Sequence, residues 1–312
     1  MIFRFSFLLF SLVISVWGCV ASPLGVLAKV NLFAGTSGDN GQVDPGAAVP
    51  FGMVRVCPDS EPRSHAGYDF AVTRTSGISI NRLSGVGCSG AGGNLSIKPT
   101  GHNEELHIVK STEKAWPGYY ETSFDNGVKV SLTATVNTAV EQFQFPDNSK
   151  KQLTINFGAS YERISEEWHR VISDREIEGS ISAPNVCGRG QYRLYFYLST
   201  SEPFQILSDK DKIVELLFNR KKNKPVEVRI TVSSVDLVTA RNEQKLLADK
   251  SFSKLTKIAG NEWKKVLSTI EVEGNEAEQT LFYTLLYRVY LSPAVVSSAS
   301  IVTGKQIGRA HV

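Results

Sequence analysis

Residues that could do chemistry concentrate in a glycine-rich stretch, residues 31–99, that shows little regular periodicity. Three segments of it combine glycine with polar side chains, at residues 35–42, 65–69 and 83–94. Glycine lets the backbone take positive φ and lets another group approach the chain closely. Because long ordered loops on a sheet scaffold are where binding groups usually lie, we expect binding groups on these three loops.

Several familiar kinds of site are disfavoured in this stretch. The glycines at 85–87 and 90–93 lack the strand-to-helix transition, the following Lys-Ser/Thr and the acidic partner of nucleotide-binding motifs. Ser84 and Ser89 lack a G-x-S-x-G elbow, and the five histidines of the chain show neither a paired arrangement nor a spacing such as H-E-x-x-H. Without C-x-x-C pairs, a zinc site is also disfavoured.

Aromatic residues make up 10% of the chain, and five lie in or near breaks between predicted strands: Trp116, Tyr119, Tyr120, Tyr161 and Trp168. Sugar rings often stack on such side chains. Packing in the core or at its rim is the simpler expectation for each one taken alone.

The scaffold for these residues is predicted to be a β-sandwich. Residues 128–136, 191–198 and 226–232 alternate apolar and polar side chains with the period of a half-buried strand. Turn residues such as Asp125-Asn126-Gly127 separate several of the predicted strands. Many antiparallel strands at this spacing favour a sandwich of two sheets. Shorter runs of the same kind occupy residues 95–98, 106–109, 119–124, 141–145, 153–157 and 177–181.

After residue 237 the pattern becomes helical. Residues 240–267 contain no proline and place their apolar side chains roughly on one stripe, which Gly260-Asn261 is expected to interrupt. A short strand or loop at 270–274 precedes a second helix at 276–291, with Pro293 just after its end. Because that helix is apolar on more than one face, we expect it to pack against further helices, of which this sequence supplies few.

The first 28 residues have the pattern of a signal peptide. Arg4 precedes an apolar run at 5–17 that is too short and too lopsided to favour a membrane-spanning helix. Two processing routes stay open: cleavage after Ala28, in a small-residue site, or lipidation of Cys19 in a loose lipobox. Either route predicts export to the periplasm, the outer membrane or the medium, with membrane association only through lipid on Cys19.

The composition is that of a soluble globular protein, with 42% hydrophobic and 21% charged residues. A net charge of +3 without a basic block disfavours nucleic acid as a partner. Cys57, Cys88 and Cys187 would remain after cleavage and allow at most one disulfide, so each is expected to be a small buried side chain. Residues 306–312 resemble translated sequencing-adapter DNA, which predicts an assembly artefact; a natural polar terminus is the alternative.

An ordered series of motifs resembles glycoside hydrolase family 92, the calcium-dependent exo-α-mannosidases. The series comprises VNLFAGTSGDNGQVDPGAAVPFGMVRVCPDS, HAGYDF, GISINRLSGVGCSGAGGNLSIKP, YRLYFYLS, IEVEG and LFYTLLYRVYLSP, in the family's order from Val30 to Pro293. Three positions depart from the family's pattern: Leu32 stands where proline is common, and Arg82 and Arg288 stand where histidine is common. These departures leave the preferred linkage open.

The resemblance implies a mainly β fold: an N-terminal β-sandwich at 29–237, a helical linker at 238–275, and the first helix of a truncated (α/α)6 barrel at 276–305. It also implies an active site between sandwich and barrel that needs calcium. Such inverting enzymes use two carboxyl groups about 6.5–9.5 Å apart. The resemblance places both carboxyl groups in the barrel, and no residue of this sequence matches them. No catalytic residue and no calcium ligand are therefore assigned.

The resemblance further implies that this part of the chain forms one wall of a mannose pocket. Amides, carboxylates and guanidinium groups can bond sugar hydroxyls, and Tyr68 can stack on a sugar ring. Hydrogen bonds that merely fix the loops are the alternative for each candidate. The substrate-binding candidates are Asp39, Asn40 and Gln42 in the first loop, His65, Gly67 and Tyr68 in the second, and Arg82, Ser84, Gly87 and Cys88 in the third.

The predicted function is that of an exported α-mannosidase fragment. Its parent would hydrolyse terminal α-mannosidic linkages, of the α-1,2 type, in mannose-containing glycans with inversion. The fragment itself is expected to be inactive because the catalytic carboxylates are missing. Two alternatives stay open: a non-catalytic glycan-binding β-sandwich, and an exported structural module without a ligand.

Overall fold

The computed structural model describes residues 24–38, 42–83, 91–185, 188, 190–219, 224–292 and 294–295. Several predictions fall outside these residues. They are the signal peptide and Cys19, the loop candidates Asp39, Asn40, Ser84, Gly87 and Cys88, the thiol of Cys187, and the tail at 306–312.

Fifteen strands and three α-helices make up the described chain. The strands are β1 Ala47–Ala48, β2 Arg55–Ser60, β3 Thr75–Leu83, β4 Ala91–Lys98, β5 Lys114–Trp116, β6 Tyr119–Ser123, β7 Lys129–Ala134, β8 Thr138–Gln144, β9 Gln152–Asn156, β10 Glu166–Ser173, β11 Glu176–Pro184, β12 Gln191–Thr200, β13 Phe204–Lys210, β14 Ile213–Phe218 and β15 Val226–Ser233. The helices are α1 Leu237–Lys245, α2 Phe252–Leu267 and α3 Glu276–Val289.

The strands form two antiparallel sheets, which confirms the predicted β-sandwich followed by a helical start. Seven strands are ordered β1-β2-β3-β4-β9-β14-β13, and eight are ordered β10-β11-β12-β15-β8-β7-β6-β5. Alternate residues of each strand enter the core between the sheets, as Val226, Val228, Ile230 and Val232 do in β15. The strands predicted from alternation, β7, β12 and β15, are all present.

The strand predictions differ from the structure in two ways. Residues 106–109 form no regular strand and make only isolated bridges, Arg74 to His107 and Ile108 to Phe124. Conversely, seven strands were not predicted: β1, β2, β3, β5, β10, β13 and β14. Among them, β2 lies in the glycine-rich stretch. All six residues of β2 are buried, so its sequence lacks the alternation that marks a half-buried strand.

The expected helix break at Gly260-Asn261 is wrong. Both residues lie inside α2, and the chain instead breaks between α1 and α2, where Ser251 caps α2 by accepting a hydrogen bond from the Lys254 amide. Gly260 makes no unusually close contact, since a Cβ there would lie 3.5 Å from the Leu27 Cδ1. The glycine on which α2 packs closely is Gly118, where a Cβ would lie 2.9 Å from the Ala259 Cβ.

Helix α3 leaves one face without a partner among the described residues. A capping box between Asn275 and Glu278 begins the helix. Its inner face is buried, and the Tyr287 ring lies 4.2 Å from the ring of Trp263. On the outer face, Leu281, Leu285 and Val289 are spaced by four residues and are 62%, 57% and 64% exposed. No helix among the described residues is long and apolar enough to span a bilayer.

One acidic side chain points into the sandwich core. Glu141 of β8 is fully buried, and its neighbours on the same face, Ala139 and Phe143, belong to the core, as do its cross-strand partners Leu132 and Val228. Neither carboxylate oxygen has a hydrogen-bond partner within the described residues. Burial therefore raises the pKa of the Glu141 carboxyl well above its usual value.

This carboxyl should make stability fall as pH rises. The pKa of glutamate in the unfolded chain is about 4.3. At pH values between about 4.3 and the raised pKa of the folded state, folding takes up a proton. In that range the free energy of unfolding falls by about 1.4 kcal/mol for each pH unit. We expect Glu141→Gln to reduce this slope in urea unfolding between pH 5 and 8. The exposed Glu273→Gln is the control and should keep the wild-type slope. Equal slopes in all three proteins would contradict a buried, protonated Glu141.

Candidate functional site

The first and second predicted loops meet through Asp69. Its carboxylate accepts hydrogen bonds from the Ser37 hydroxyl at 2.9 Å and from the Gly38 amide at 3.2 Å. The Phe33 and Phe70 rings meet edge to face, 5.5 Å apart. Asp69 was not among the predicted site residues, yet it positions the chain directly before Asp39 and Asn40.

Arg82 connects the start of the third loop to the second. Its guanidinium is fully buried and donates to the carbonyls of Cys57 at 2.7 Å and Ala66 at 2.8 Å. It also forms an ion pair with Asp59 at 3.0 Å and lies 3.6 Å from Asp44. Arg82 was predicted to contact a sugar; in the structure its side chain has no exposed surface and lies beneath the second loop.

Asp44 is the second acidic partner in this buried cluster. Its Oδ2 lies 3.0 Å from the Nε of Arg55, a close ion pair whose angles do not make it a directed hydrogen bond. Its Oδ1 accepts the Gly46 amide at 2.9 Å. Burial alone would raise the pKa of the Asp44 carboxyl, but Arg55 and Arg82 outweigh burial and hold that pKa below its usual value.

Tyr161 closes the cluster from the opposite side. Its hydroxyl donates to Asp59 at 2.7 Å, and its ring lies against two glycines with positive φ. A Cβ on Gly67 would come 1.8 Å from the Tyr161 hydroxyl, and a Cβ on Gly93 would come 2.3 Å from the ring. Gly67, a predicted site residue, is thus required for this close approach whether or not its backbone also contacts a ligand.

Tyr68 is also turned inward. Its ring is fully buried, and its hydroxyl donates to Glu113 at 2.8 Å, an oxygen that also accepts from Tyr120 at 2.6 Å. Lys110 pairs with the other Glu113 oxygen at 3.2 Å and lies 4.5 Å from the centre of the Tyr68 ring. Tyr68 was predicted to stack on a sugar; in the structure its ring is covered by the protein.

Gln42 and His65 are the described candidates whose side chains remain half-buried rather than buried. They belong to the first and second loops, which Asp69 joins. The Nε2 atom of His65 is itself buried and has no hydrogen-bond partner among the described residues. Gln42 and His65 are therefore the described candidates that keep part of their side chains at the surface.

A half-buried arginine connects the loops to the helical segment. Arg288 of α3 donates to the carbonyl of Leu32 at 2.7 Å and to that of Asp44 at 2.9 Å. The Asn31 amide, next in the chain, donates to the Thr284 hydroxyl at 2.9 Å. The first loop is thus held between the sandwich and α3.

Family comparisons agree with this sandwich-plus-helix arrangement, which is that of the N-terminal part of a glycoside hydrolase. Residues 29–233 match the model of the glycosyl hydrolase family 92 N-terminal domain, and residues 239–305 match the model of the family's catalytic domain. The chain belongs to glycosyl hydrolase family 92.

Solved structures show the same fold. A family 92 glycosyl hydrolase named ccman5 is 25% identical with a TM-score of 0.79, over 86% of this chain and 41% of that chain. A family 92 α-mannosidase from Bacteroides thetaiotaomicron is 24% identical with a TM-score of 0.76, over 86% of this chain and 41% of that chain. A family 92 inverting mannosidase from the same species is 22% identical with a TM-score of 0.75, over 88% and 40%.

A curated relative is described as an uncharacterized secreted glycosidase of Arthroderma benhamiae. It is 27% identical over 138 residues, which are 40% of this chain and 18% of that protein. The chain therefore spans less than half the length of these solved relatives and less than a fifth of the curated one.

Members of this family generally require calcium. Calcium takes about six to eight oxygen ligands. Within the described ranges, no group of three or more His, Cys, Asp or Glu side chains could hold a metal ion. The carboxylates of Asp44, Asp59 and Glu113 are bound instead by arginine, lysine and tyrosine. These residues do not fit a calcium site.

Removing Arg82 should cost far more stability than removing an exposed arginine. Arg82→Ala leaves Asp59 and Asp44 buried with less compensation, and breaking such a pair costs about 3–5 kcal/mol. Arg82→Lys should also destabilise, since one ammonium cannot replace a guanidinium that serves several acceptors.

Urea unfolding measures the effect. The matched control is Arg63→Ala, because Arg63 is exposed and lies 4.8 Å from the same Tyr161 ring. The free energy of unfolding of the control should fall by about 1 kcal/mol or less. Similar losses in the Arg82 and Arg63 variants would refute the structural role assigned to Arg82.

Proposed function

We propose that this chain is the N-terminal part of an exported family 92 α-mannosidase that removes terminal mannose from glycans. The family match over residues 29–233 and 239–305 carries the proposal. Two similar solved structures are described as an α-mannosidase in complex with mannoimidazole and as an inverting mannosidase. Export is supported by the signal-peptide pattern and by the secreted glycosidase among the relatives.

The joined first and second loops form the proposed wall of the sugar pocket. Gln42 and His65 supply its described side chains, and Asp39, Asn40, Ser84, Gly87 and Cys88 complete it. Arg82 and Tyr68 act beneath this wall as positioning residues. Their buried contacts fix the loops, so the wall is held in shape before a ligand arrives.

The rest of the catalytic domain is proposed to cover the outer face of α3. Its apolar stripe of Leu281, Leu285 and Val289 is the surface that a neighbouring helix would bury. Because Arg288 joins α3 to the first loop, that domain would sit directly beside the sugar-binding wall. The catalytic carboxylates and the calcium site belong, in this proposal, to that domain, and α-1,2 linkages with inversion are its chemistry.

The proposal is tested with the enzyme translated from the complete reading frame. We expect release of mannose from α-1,2-mannobiose, loss of activity on chelation with EDTA, and recovery with calcium. His65→Ala and Gln42→Ala should each lower kcat/KM about tenfold, the effect of losing roughly one hydrogen bond to the substrate. His102→Ala, an exposed histidine outside the three loops, is the control and should leave kcat/KM unchanged.

The opposite results are equally clear. An enzyme that releases no mannose from any α-mannobioside would overturn the assigned activity. Full activity in both loop variants would contradict the proposal that these loops form a wall of the sugar pocket. The 312-residue chain by itself is expected to release no mannose even with calcium, and turnover that survives repurification would contradict the placement of the carboxylates.

A further inference from the structure

The outer face of the eight-stranded sheet carries an exposed tryptophan at its free edge. In β10, His169 and Val171 face the core, where the His169 ring stacks on Phe157 at 4.4 Å. Alternation therefore points Trp168 and Arg170 away from the core. Trp168 is 43% exposed, which is unusual for a large apolar ring in a regular strand.

The other aromatic residues singled out in the sequence have packing roles. Trp116 stacks on Tyr119 at 4.1 Å, Tyr120 is fully buried, and the Tyr161 hydroxyl is bound to Asp59. Trp168 makes no such ring contact within the described residues. Its ring is the one of the five that stays open to a ligand.

A second aromatic residue stands in register with Trp168. The cross-strand partner of Trp168 is Ser180 of β11, and the partner of Ser180 is Tyr195 of β12. Two strand spacings, about 9–10 Å, thus separate the two aromatic residues on one face. Ser180 is only 4% exposed, so the surrounding side chains close over it and leave a shallow surface instead of a pit.

Paired charges border this surface on both sides of the indole. On one side, Arg193 forms an ion pair with Glu166 and donates to the Ser182 hydroxyl at 3.0 Å. On the other, Arg170 donates to Glu178 at 2.8 Å. The side chains of Arg170, Arg193 and Glu166 stay 64%, 46% and 65% exposed, so donors and acceptors remain accessible to a ligand.

This combination matches the chemistry of a sugar. The apolar face of a pyranose packs on an indole, while its hydroxyls need both donors and acceptors at the rim. Arg193 is paired with Glu166, and Arg170 shares Glu178 with Arg241, so only one positive charge is left in excess. A neutral carbohydrate suits this nearly balanced surface better than a nucleic acid or an acidic peptide, which need several unpaired cations.

We propose that the surface formed by Trp168, Ser180, Tyr195, Glu166, Arg170 and Arg193, here called the Trp168 platform, binds a neutral glycan chain by stacking a sugar ring on Trp168. The choice of α-mannan as the first probe rests on the proposed function, but the platform does not depend on it.

Electrophoresis of the 312-residue chain in native gels containing soluble yeast α-mannan tests the platform. Parallel gels contain laminarin, dextran or arabinogalactan. We expect α-mannan to slow the wild-type chain, and Trp168→Ala to weaken the binding about tenfold or more, equivalent to roughly 1.4 kcal/mol. The matched control, Ile172→Ala, changes an apolar side chain that is 44% exposed on the same strand and face, and should bind as wild type.

Each result decides the matter. Retardation by another neutral glycan that depends on Trp168 supports the platform and changes only its ligand, leaving the hydrolytic activity to its own test. No retardation by any glycan, or retardation that Trp168→Ala leaves intact, overturns the proposal. So does wild-type self-association that Trp168→Ala abolishes, which would make the surface a protein contact. Equal thermal midpoints for wild type and Trp168→Ala establish that lost binding is not lost folding.

Discussion

The arrangement of the loops depends on a guanidinium that has no access to water. Arg82 must satisfy its charge and its N–H groups inside the protein, because an unpaired buried charge costs several kcal/mol, about 3–5 when a partner is removed. Its ion pair with Asp59 and its bonds to the carbonyls of Cys57 and Ala66 meet that requirement. Since these partners come from β2 and the second loop, satisfying Arg82 also fixes where that loop lies.

Other arginines extend this constraint to the helical segment. Asp44 pairs through its side chain with Arg55 while its carbonyl accepts a hydrogen bond from Arg288 of α3. Moving α3 would therefore leave the Arg288 guanidinium short of acceptors in a half-buried position. The sandwich and α3 are joined by directed polar contacts as well as by apolar packing, and the first loop lies between them.

The sequence predicts strands most readily where apolar and polar residues alternate. β7, β12 and β15 each bury one face, so their period is visible, whereas β2 is buried on both faces and reads as an irregular segment. Gly260 was expected to interrupt a helix by its low propensity, but a single glycine costs only about 1 kcal/mol and α2 continues through it.

The site shows the same limit at the level of side chains. Residue type and loop position made Arg82 and Tyr68 substrate-binding candidates. Residue type alone does not say whether a side chain points toward solvent or toward the core. Their partners carried no local signal at all. Tyr161 reaches Asp59 across 102 positions, and Tyr68 reaches Glu113 across 45. Such long-range pairs become visible only when the sheets are assembled.

The buried carboxylates bear on where hydrolysis can occur. An acid and a base of an inverting glycosidase must face the sugar and hold a water between them. Asp44 and Glu178 have pKa values held low against burial by their arginines, so neither can deliver a proton near neutral pH. Burial raises the pKa of the Glu141 carboxyl well above its usual value, but this group is sealed in the core and no substrate can reach it. These three carboxyl groups stabilise or burden the fold without meeting the requirements of catalysis.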